Sequence, residues 1–120
     1  GTRSVGTANK LTNGRWILDS TGWWYPFSDS TYAKGGWYYL EWQNKKDWYY
    51  FDNTGYLVSG WFEENGNKYY LHDVHDGTFG RMYTGWNKIG NQWYYFNDTT
   101  TGTFGALDSN AQVPAELLNQ

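Results

Sequence analysis

Residues 85–105 read GWNKIGNQWYYFNDTTTGTFG, and residues 60–80 read GWFEENGNKYYLHDVHDGTFG. The two stretches share the opening Gly-Trp, the Tyr-Tyr pair and the closing Gly-Thr-Phe-Gly at an offset of 25 residues. One aromatic position differs, because Lys68 stands where the later copy has Trp93. Agreement in both residue type and spacing indicates an internal repeat, which is typical of arrays built from one supersecondary unit.

The same unit extends over most of the chain. Its first tryptophans are spaced 21, 24 and 25 residues apart, at Trp16, Trp37, Trp61 and Trp86. A second aromatic run follows each of them and reads WWYPF, WYYF, KYYL or WYYF. The sequence therefore predicts an array over residues 14–108, with repeats near 14–35, 36–59, 60–84 and 85–108.

Each repeat is predicted to be a β-hairpin. Aromatic runs bounded by Gly, Asn and Asp favour strands that end in turns. Asn65-Gly66 and Gly90-Asn91 indicate tight hairpin turns, since these residue types tolerate positive φ. An isolated hairpin is marginal in water, so the units are expected to stack and bury a continuous aromatic face. The predicted fold is all-β, a β-solenoid of about four stacked β-hairpin repeats.

The segments outside the hairpins give further expectations. Residues 1–13 are interpreted as a disordered or vector-derived lead-in, and residues 109–120 as a C-terminal capping tail. Leu117 and Leu118 are candidates to cover the open end of the last repeat. The alternative is that this end pairs with a second copy and gives a homodimer.

Two turns are longer than the others. Residues 72–80 and 97–105 each carry five extra residues relative to the turn that follows Phe51. Phe79 and Phe104, near the ends of these turns, are expected to pack under their own loops.

Composition restricts the classes of function. Nine Trp, twelve Tyr and six Phe among 120 residues mean that aromatic rings must build the core. The net charge of −3 and the lack of a basic patch argue against nucleic acid as a partner. No apolar run approaches the length of a bilayer span, so no membrane insertion is expected. Nothing at Gly1 resembles a signal peptide, which leaves a cytosolic protein or a mature piece of a secreted one.

The sequence offers little catalytic or metal chemistry. His72, Asp73, His75 and Asp76 place four ligand-type side chains within five residues. The sister loop at 97–101 keeps only one of these types, so turn capping explains the segment better and no metal site is predicted. Nucleophile motifs and phosphate loops are missing, and a stack of hairpins offers no cleft for paired carboxylates. The chain is predicted to be no enzyme and to need no cofactor.

The repeat resembles the choline-binding, or cell-wall-binding, repeats of Gram-positive surface proteins. The resemblance rests on residues 80–86, on Trp93-Tyr94-Tyr95-Phe96, and on residues 48–57 with Gly60-Trp61 after them. It covers about four fifths of the chain. The family implies a β-solenoid, ligand sites between successive repeats, and the choline of teichoic acids as the ligand. It also implies a secreted protein attached to the bacterial cell wall.

The resemblance implies cages with three aromatic walls. Two walls are the Trp after Gly and the Trp that opens WYYF; the third comes from the next repeat, and Met or Leu lines the floor. The residues that fit are Trp16, Trp23, Trp37, Trp48, Trp61, Tyr70, Met82, Trp86 and Trp93.

Particular pairings follow from this scheme. Tyr70 is expected to close the Trp37–Trp48 pair, Trp48 to close the Trp16–Trp23 pair, and Met82 to accompany Trp86 and Trp93, which no fifth repeat closes. The tyrosines that face the other way, Tyr49, Tyr69 and Tyr94, are expected in the core.

Lys68 replaces one wall of its cage. It is either a solvated lysine on a strand face or a built-in cation lying over Trp61 or Trp93. Both alternatives predict weak choline binding at Trp61, since a like charge repels the ligand.

Ring faces suit a quaternary ammonium, which donates no hydrogen bond and gains roughly 0.5–2 kcal/mol per cation–π contact. A single site then has only millimolar affinity, but several sites that bind one polymer with repeated choline groups give a higher overall avidity. Two alternatives stay open. A glucan or other cell-wall glycan would stack on the same rings and use polar neighbours such as Asp47, Asn87, Asn91 and Gln92. A structural spacer or self-association module would use the aromatics only to hold the stack.

Overall fold

A computed structural model describes residues 15–99 and 102–119, and within them eight strands pair as four antiparallel hairpins. Hairpin 1 contains β1 (Ile17–Leu18) and β2 (Trp23–Trp24), hairpin 2 contains β3 (Gly36–Trp42) and β4 (Lys45–Phe51), hairpin 3 contains β5 (Gly60–Glu64) and β6 (Asn67–Leu71), and hairpin 4 contains β7 (Gly85–Ile89) and β8 (Gln92–Phe96). One short helix, α1 (Ala115–Leu118), lies near the C-terminus. The four predicted hairpins and the all-β class are confirmed. The predicted lead-in falls outside the described residues.

The hairpins share one register. The first tryptophan lies opposite the third residue of the aromatic run, as in the pairs Trp37–Tyr50, Trp61–Tyr70 and Trp86–Tyr95. Hairpin 2 has seven residues in each strand, whereas hairpins 3 and 4 have five. Its four extra residues therefore lengthen both strands by two, and this even number leaves every side chain on its original face.

The predicted pair of positive φ angles is present at the tip of hairpin 3, whereas at the tip of hairpin 4 Gly90 has a φ of 63° and Asn91 does not have a positive φ. Asn65 and Gly66 have φ of 52° and 82°, and Gln43 and Asn44 have φ of 51° and 68°. Two successive positive φ angles are typical of type I′ turns, whose twist matches that of the flanking strands. The tip of hairpin 2 reaches this geometry without a glycine.

Segments that leave each hairpin join it to the one before. These exit segments, residues 57–58, 82–83 and 107–108, bridge the last residue of their own hairpin in the pairs Phe51–Leu57, Leu71–Met82 and Phe96–Leu107. They also donate a backbone N–H to the preceding hairpin, from Leu57 to the Trp23 carbonyl at 2.9 Å, from Met82 to Trp48 at 2.9 Å and from Leu107 to Lys68 at 2.7 Å. Consecutive hairpins are thus linked by the same hydrogen bond three times.

The core is a series of small aromatic clusters along the array. Phe51, Leu71 and Phe96, which end the three later aromatic runs, are fully buried. Tyr49 and Tyr69 are buried beside them, as expected for the tyrosines of that face, whereas Tyr94 is half-buried. Aromatic rings occur in every cluster, beside a few aliphatic residues and Met82, and most ring contacts are edge-on or tilted, as suits ring quadrupoles.

Expectations for the loops and the C-terminus hold only in part. Phe79 stacks on His75 of its own loop with ring centroids 3.9 Å apart, as expected. Phe104 is 37% exposed, so the expectation that it packs under its loop is wrong. Leu118 is 66% exposed and does not cover the last hairpin. The helix found in the described residues is too short to cross a membrane.

Gly80 provides a test of how the exit segments pack. Its φ is 86°, and a Cβ there would lie 2.5 Å from Leu57 Cδ2. Replacement of Gly80 by Ala should lower the free energy of unfolding by about 2–4 kcal/mol, from backbone strain and overpacking together. Urea denaturation followed by tryptophan fluorescence measures this.

Gly77 is the matched control in the same loop. Its φ is 96°, but no atom lies within 4 Å of the Cβ position. Replacement of Gly77 by Ala should cost only the strain, about 1–2 kcal/mol. Equal losses for the two variants would show that the approach of Gly80 to Leu57 does not matter for stability.

Candidate functional site

The first junction, between hairpins 1 and 2, holds a pocket of about 200 Å³. Trp16 and Trp23 of hairpin 1 face Tyr49 of hairpin 2, and Leu57 of the exit segment lines the floor. The rings of Trp16 and Tyr49 meet edge-on with centroids 4.8 Å apart. The Trp16 Nε1–H donates to the Glu41 carbonyl at 3.1 Å, which fixes the orientation of that indole across the junction.

The second junction, between hairpins 2 and 3, repeats this arrangement. Trp37 and Trp48 of hairpin 2 face Tyr69 of hairpin 3, with Met82 as the floor. The Trp37 and Tyr69 rings lie 4.9 Å apart at 62°. The Trp37 Nε1–H donates to Glu64 Oε1 at 3.0 Å, so this junction carries a carboxylate beside its rings.

The third walls lie one residue away from their predicted positions. Tyr49 closes the first junction where Trp48 was expected, and Tyr69 closes the second where Tyr70 was expected. Neighbouring residues in a strand point to opposite faces, so Tyr70 instead packs against Trp61 of its own hairpin, at 5.1 Å. The expectation that Tyr70 closes the Trp37–Trp48 pair is therefore wrong.

Met82 is also reassigned. It lines the second junction with Trp37 and Trp48, and not the Trp86–Trp93 pair. Trp86 packs on Tyr95 within hairpin 4, at 5.2 Å, and no later hairpin faces it in the described part of the chain. Trp86 and Trp93 thus have the spacing of a cage without the third wall and floor that the other junctions possess.

The third junction has the same plan with one change. Trp61 of hairpin 3 faces Tyr94 of hairpin 4 at 5.1 Å, and Leu107 takes the floor position. Lys68 stands where the second tryptophan stands elsewhere, and its side chain is exposed. Among the described residues it makes no cation–π contact with Trp61 or Trp93, so the solvated alternative is confirmed and the built-in cation is wrong.

Several lining residues were not identified from the sequence. Leu57 and Leu107 occupy the position of Met82 in the Gly-x-Met/Leu pattern, so comparison of the repeats had the signal to find them. Phe79, Thr103 and Phe104 come from segments distant in the chain and carry no local signal. Trp42 reaches the first junction from the tip of hairpin 2.

The wall tyrosines are neutral over a wide pH range. Burial raises the pKa of Tyr49 to about 12, and the charge of Asp47 adds to this. Burial, and then the charge of Glu64, also raises the pKa of Tyr69. A protonated phenol keeps its ring electron-rich without adding a charge, so both walls offer neutral aromatic faces.

The His72–Asp76 segment uses its polar groups within the loop. His72 Nδ1 lies 2.7 Å from the Tyr83 hydroxyl, and His72 Nε2 lies 3.0 Å from Asp76 Oδ2. Hydrogen bonds from Thr78 and His72 lower the pKa of Asp76. The described residues contain no group of three or more His, Cys, Asp or Glu placed to hold a metal ion.

Comparison with known proteins gives consistent matches. Residues 42–57, 59–73 and 84–99 match the cell wall binding repeat family. The pneumococcal cell wall endolysin of phage Cp-1, solved with choline, aligns at 33% identity over 83% of this chain and 26% of its own, with a TM-score of 0.62. Choline binding protein F of Streptococcus pneumoniae aligns at 32% identity over 85% of this chain and 29% of its own, with a TM-score of 0.63. CbpJ of Streptococcus pneumoniae TIGR4 aligns at 34% identity over 81% of this chain and 28% of its own, with a TM-score of 0.61.

These relatives are much longer than the present chain, which spans 26% to 29% of their lengths. A search of curated protein sequences gives no match. Repeated hairpins that gather two tryptophans and one tyrosine at two successive junctions define a class of aromatic-rich repeat proteins. The chain carries repeats of the choline-binding, or cell-wall-binding, repeat family, and repeats of this family form binding modules.

Alkaline titration tests the burial of the wall tyrosines. The pKa of Tyr49 is raised to about 12 in the folded chain, whereas an unfolded tyrosine titrates near about 10. The folded state therefore holds this proton more tightly, and the resulting stability is complete below pH of about 10 and lost as pH rises toward about 12. Urea midpoints measured across this range should fall steeply, and less steeply in Tyr49→Phe.

Tyr39→Phe is the control, because Tyr39 is 52% exposed and lies outside all three junctions. It should leave the pH dependence of the urea midpoint as it is in the wild type. Identical slopes for wild type and Tyr49→Phe would contradict the burial of this hydroxyl.

Proposed function

We propose that the chain is a non-catalytic cell-wall-binding module, a β-solenoid whose first and second junctions bind the choline of teichoic acids. The observation that carries the proposal is the repetition of one set of residue types at two successive junctions. Each combines two tryptophans and a neutral, buried tyrosine with an aliphatic or thioether floor, in Trp16, Trp23, Tyr49 and Leu57 and again in Trp37, Trp48, Tyr69 and Met82.

The chemistry of these walls favours a quaternary ammonium. Its methyl groups need no hydrogen-bond partner, and its charge is attracted by the negative faces of rings. In the second junction Glu64, held by the Trp37 indole at 3.0 Å, adds a formal negative charge that favours a cation further. With about 0.5–2 kcal/mol per ring, a single cage reaches only millimolar affinity, and several cages on one polymer supply avidity.

The relatives support both the ligand and the location. The phage Cp-1 endolysin was solved with choline, and choline binding protein F was solved with a peptidoglycan analogue. We accordingly propose that the chain acts outside the cell, attached to the cell wall. Association of two copies through the C-terminal end is part of the proposal, since Leu118 is 66% exposed there.

A glycan is a second candidate, favoured only at the third junction. Trp61 is 46% exposed and lies beside Glu63 and Lys68, and such polar neighbours suit a sugar stacked on a ring. The polar partners expected from the sequence are less available. Asn87 Nδ2 donates to the Thr84 carbonyl at 2.9 Å, and Gln92 Oε1 accepts from the Tyr94 hydroxyl at 3.0 Å.

Choline titration followed by tryptophan emission tests the main proposal. Trp48→Leu should raise the dissociation constant of the second cage by about five- to thirtyfold, because one ring contact of about 1–2 kcal/mol is lost. Trp93→Leu is the matched control, since Trp93 has the same place in its hairpin but no closing wall. It should leave the titration nearly unchanged.

The ligand itself has a matched control. The uncharged analogue of choline, in which carbon replaces nitrogen, has the same shape without the charge. It should bind much more weakly than choline if cation–π attraction dominates. Equal responses to both compounds, or a response to dextran alone, would contradict choline as the ligand.

Lys68→Trp should complete the third cage. The change adds the missing wall and removes a like charge, so choline affinity at Trp61 should rise about three- to thirtyfold. Equilibrium dialysis should then show one additional bound choline per chain. Lys88→Trp is the control, because Lys88 is exposed and lies outside the three junctions. This substitution should not increase the number of bound choline molecules. An unchanged titration of Lys68→Trp would argue against a cage at Trp61.

A further inference from the structure

The first junction contains a residue from an unexpected part of the chain. Phe79 belongs to the long turn that follows hairpin 3, yet it lines the pocket between hairpins 1 and 2 with Trp16 and Trp23. Its ring stacks on His75 at 3.9 Å with the planes only 9° apart, so it enters the pocket as part of a flat pair.

The second junction shows the same relationship one repeat later. Phe104 belongs to the long turn after hairpin 4, and with Thr103 it lines the pocket between hairpins 2 and 3. Phe104 is 37% exposed, which leaves its ring open to that pocket rather than packed beneath its own loop. In both cases the phenylalanine comes from the hairpin that follows the two forming the junction.

The glycine that ends each long turn explains how the loop reaches the floor. A Cβ at Gly80 would meet the Leu57 side chain, and one at Gly105 would meet Met82. These glycines therefore press directly against the floor residues of the first and second junctions. Each turn is closed by an equivalent bond, from Gly80 N–H to the His72 carbonyl and from Gly105 N–H to the Asn97 carbonyl, both 2.7 Å.

We propose that Phe79 and Phe104 are the fourth walls of the first and second cages, each supplied by the hairpin next along the chain. This inference rests on the proposed function, because it assigns the extra ring to the same choline sites. A fourth ring adds a face to the trimethylammonium group and shields it from water. The five residues inserted in each long turn thereby tune ligand affinity at a junction formed by earlier repeats.

The third junction lacks such a wall within the described residues. Its pocket is lined by hairpins 3 and 4 and the exit segment after them. It therefore serves as an internal reference, because a change at Phe79 or Phe104 should not alter its behaviour.

Resolved indole signals test the proposal cage by cage. Trp16 reports on the first cage and Trp37 on the second, and both indole N–H groups are held in hydrogen bonds. Choline titration of protein with nitrogen-15-labelled tryptophan gives a separate dissociation constant at each indole. Phe79→Ala should raise the constant at Trp16 about two- to fivefold and leave Trp37 unchanged; Phe104→Ala should do the reverse.

Val74→Ala controls for changes in the loop, since Val74 is 53% exposed and lies outside the pocket. If Phe79→Ala does not fold, Phe79→Leu carries the test, because it keeps apolar bulk but removes the ring face. Unchanged constants at both indoles, or an equal loss at both from one variant, would overturn the fourth wall. No choline-dependent shift at any indole of the wild type would instead overturn the proposed function.

Discussion

The structure depends on one backbone hydrogen bond, made by each exit segment to the hairpin before it. This bond recurs at all three junctions, where a tyrosine and a floor residue lie opposite one or two tryptophans of the preceding hairpin. Its acceptor is the carbonyl of the residue that forms the second wall, at Trp23, Trp48 and Lys68. Because the bond uses only main-chain atoms, the side chain at that position is free to vary. The array can therefore contain Lys68 without losing the link between its hairpins.

Core and candidate site share their residues in this chain. Tyr49 and Tyr69 are buried among aromatic neighbours and also close the first and second junctions. The scarcity of aliphatic side chains makes the same rings serve both, so the tyrosines of the junctions are packed among core residues. Side chains that are already packed lose less conformational entropy on binding, which matters when each contact is weak.

The sequence predicted the repeat, the hairpins and most of the tryptophans at the junctions, because these depend on residue spacing along one strand or turn. It placed the third walls one residue away, at Trp48 and Tyr70. The face on which a tyrosine meets the previous hairpin depends on the angle between hairpins, and that angle has no local signature. Phe79 was harder still, since the contact that matters joins segments far apart in the chain. The Gly-Thr-Phe-Gly motif predicted the turn, but it did not predict that the Phe79 ring lines the pocket of the first junction.

Hairpin 2 shows how such an array changes length. Its two additional residues per strand extend the tip and carry Trp42 to within 6.5 Å of Trp23, while the inner pairs from Gly36–Phe51 to Tyr39–Trp48 keep the register seen in the other hairpins. An odd insertion in one strand would invert the faces beyond it and exchange wall with core. A hairpin can thus be lengthened at its tip only by an even number of residues in each strand. Such an insertion adds residues at the tip and leaves the inner strand pairs unchanged. Hairpins of unequal length can consequently differ in sequence and length at their tips, while the inner strand pairs keep the same spacing from one hairpin to the next.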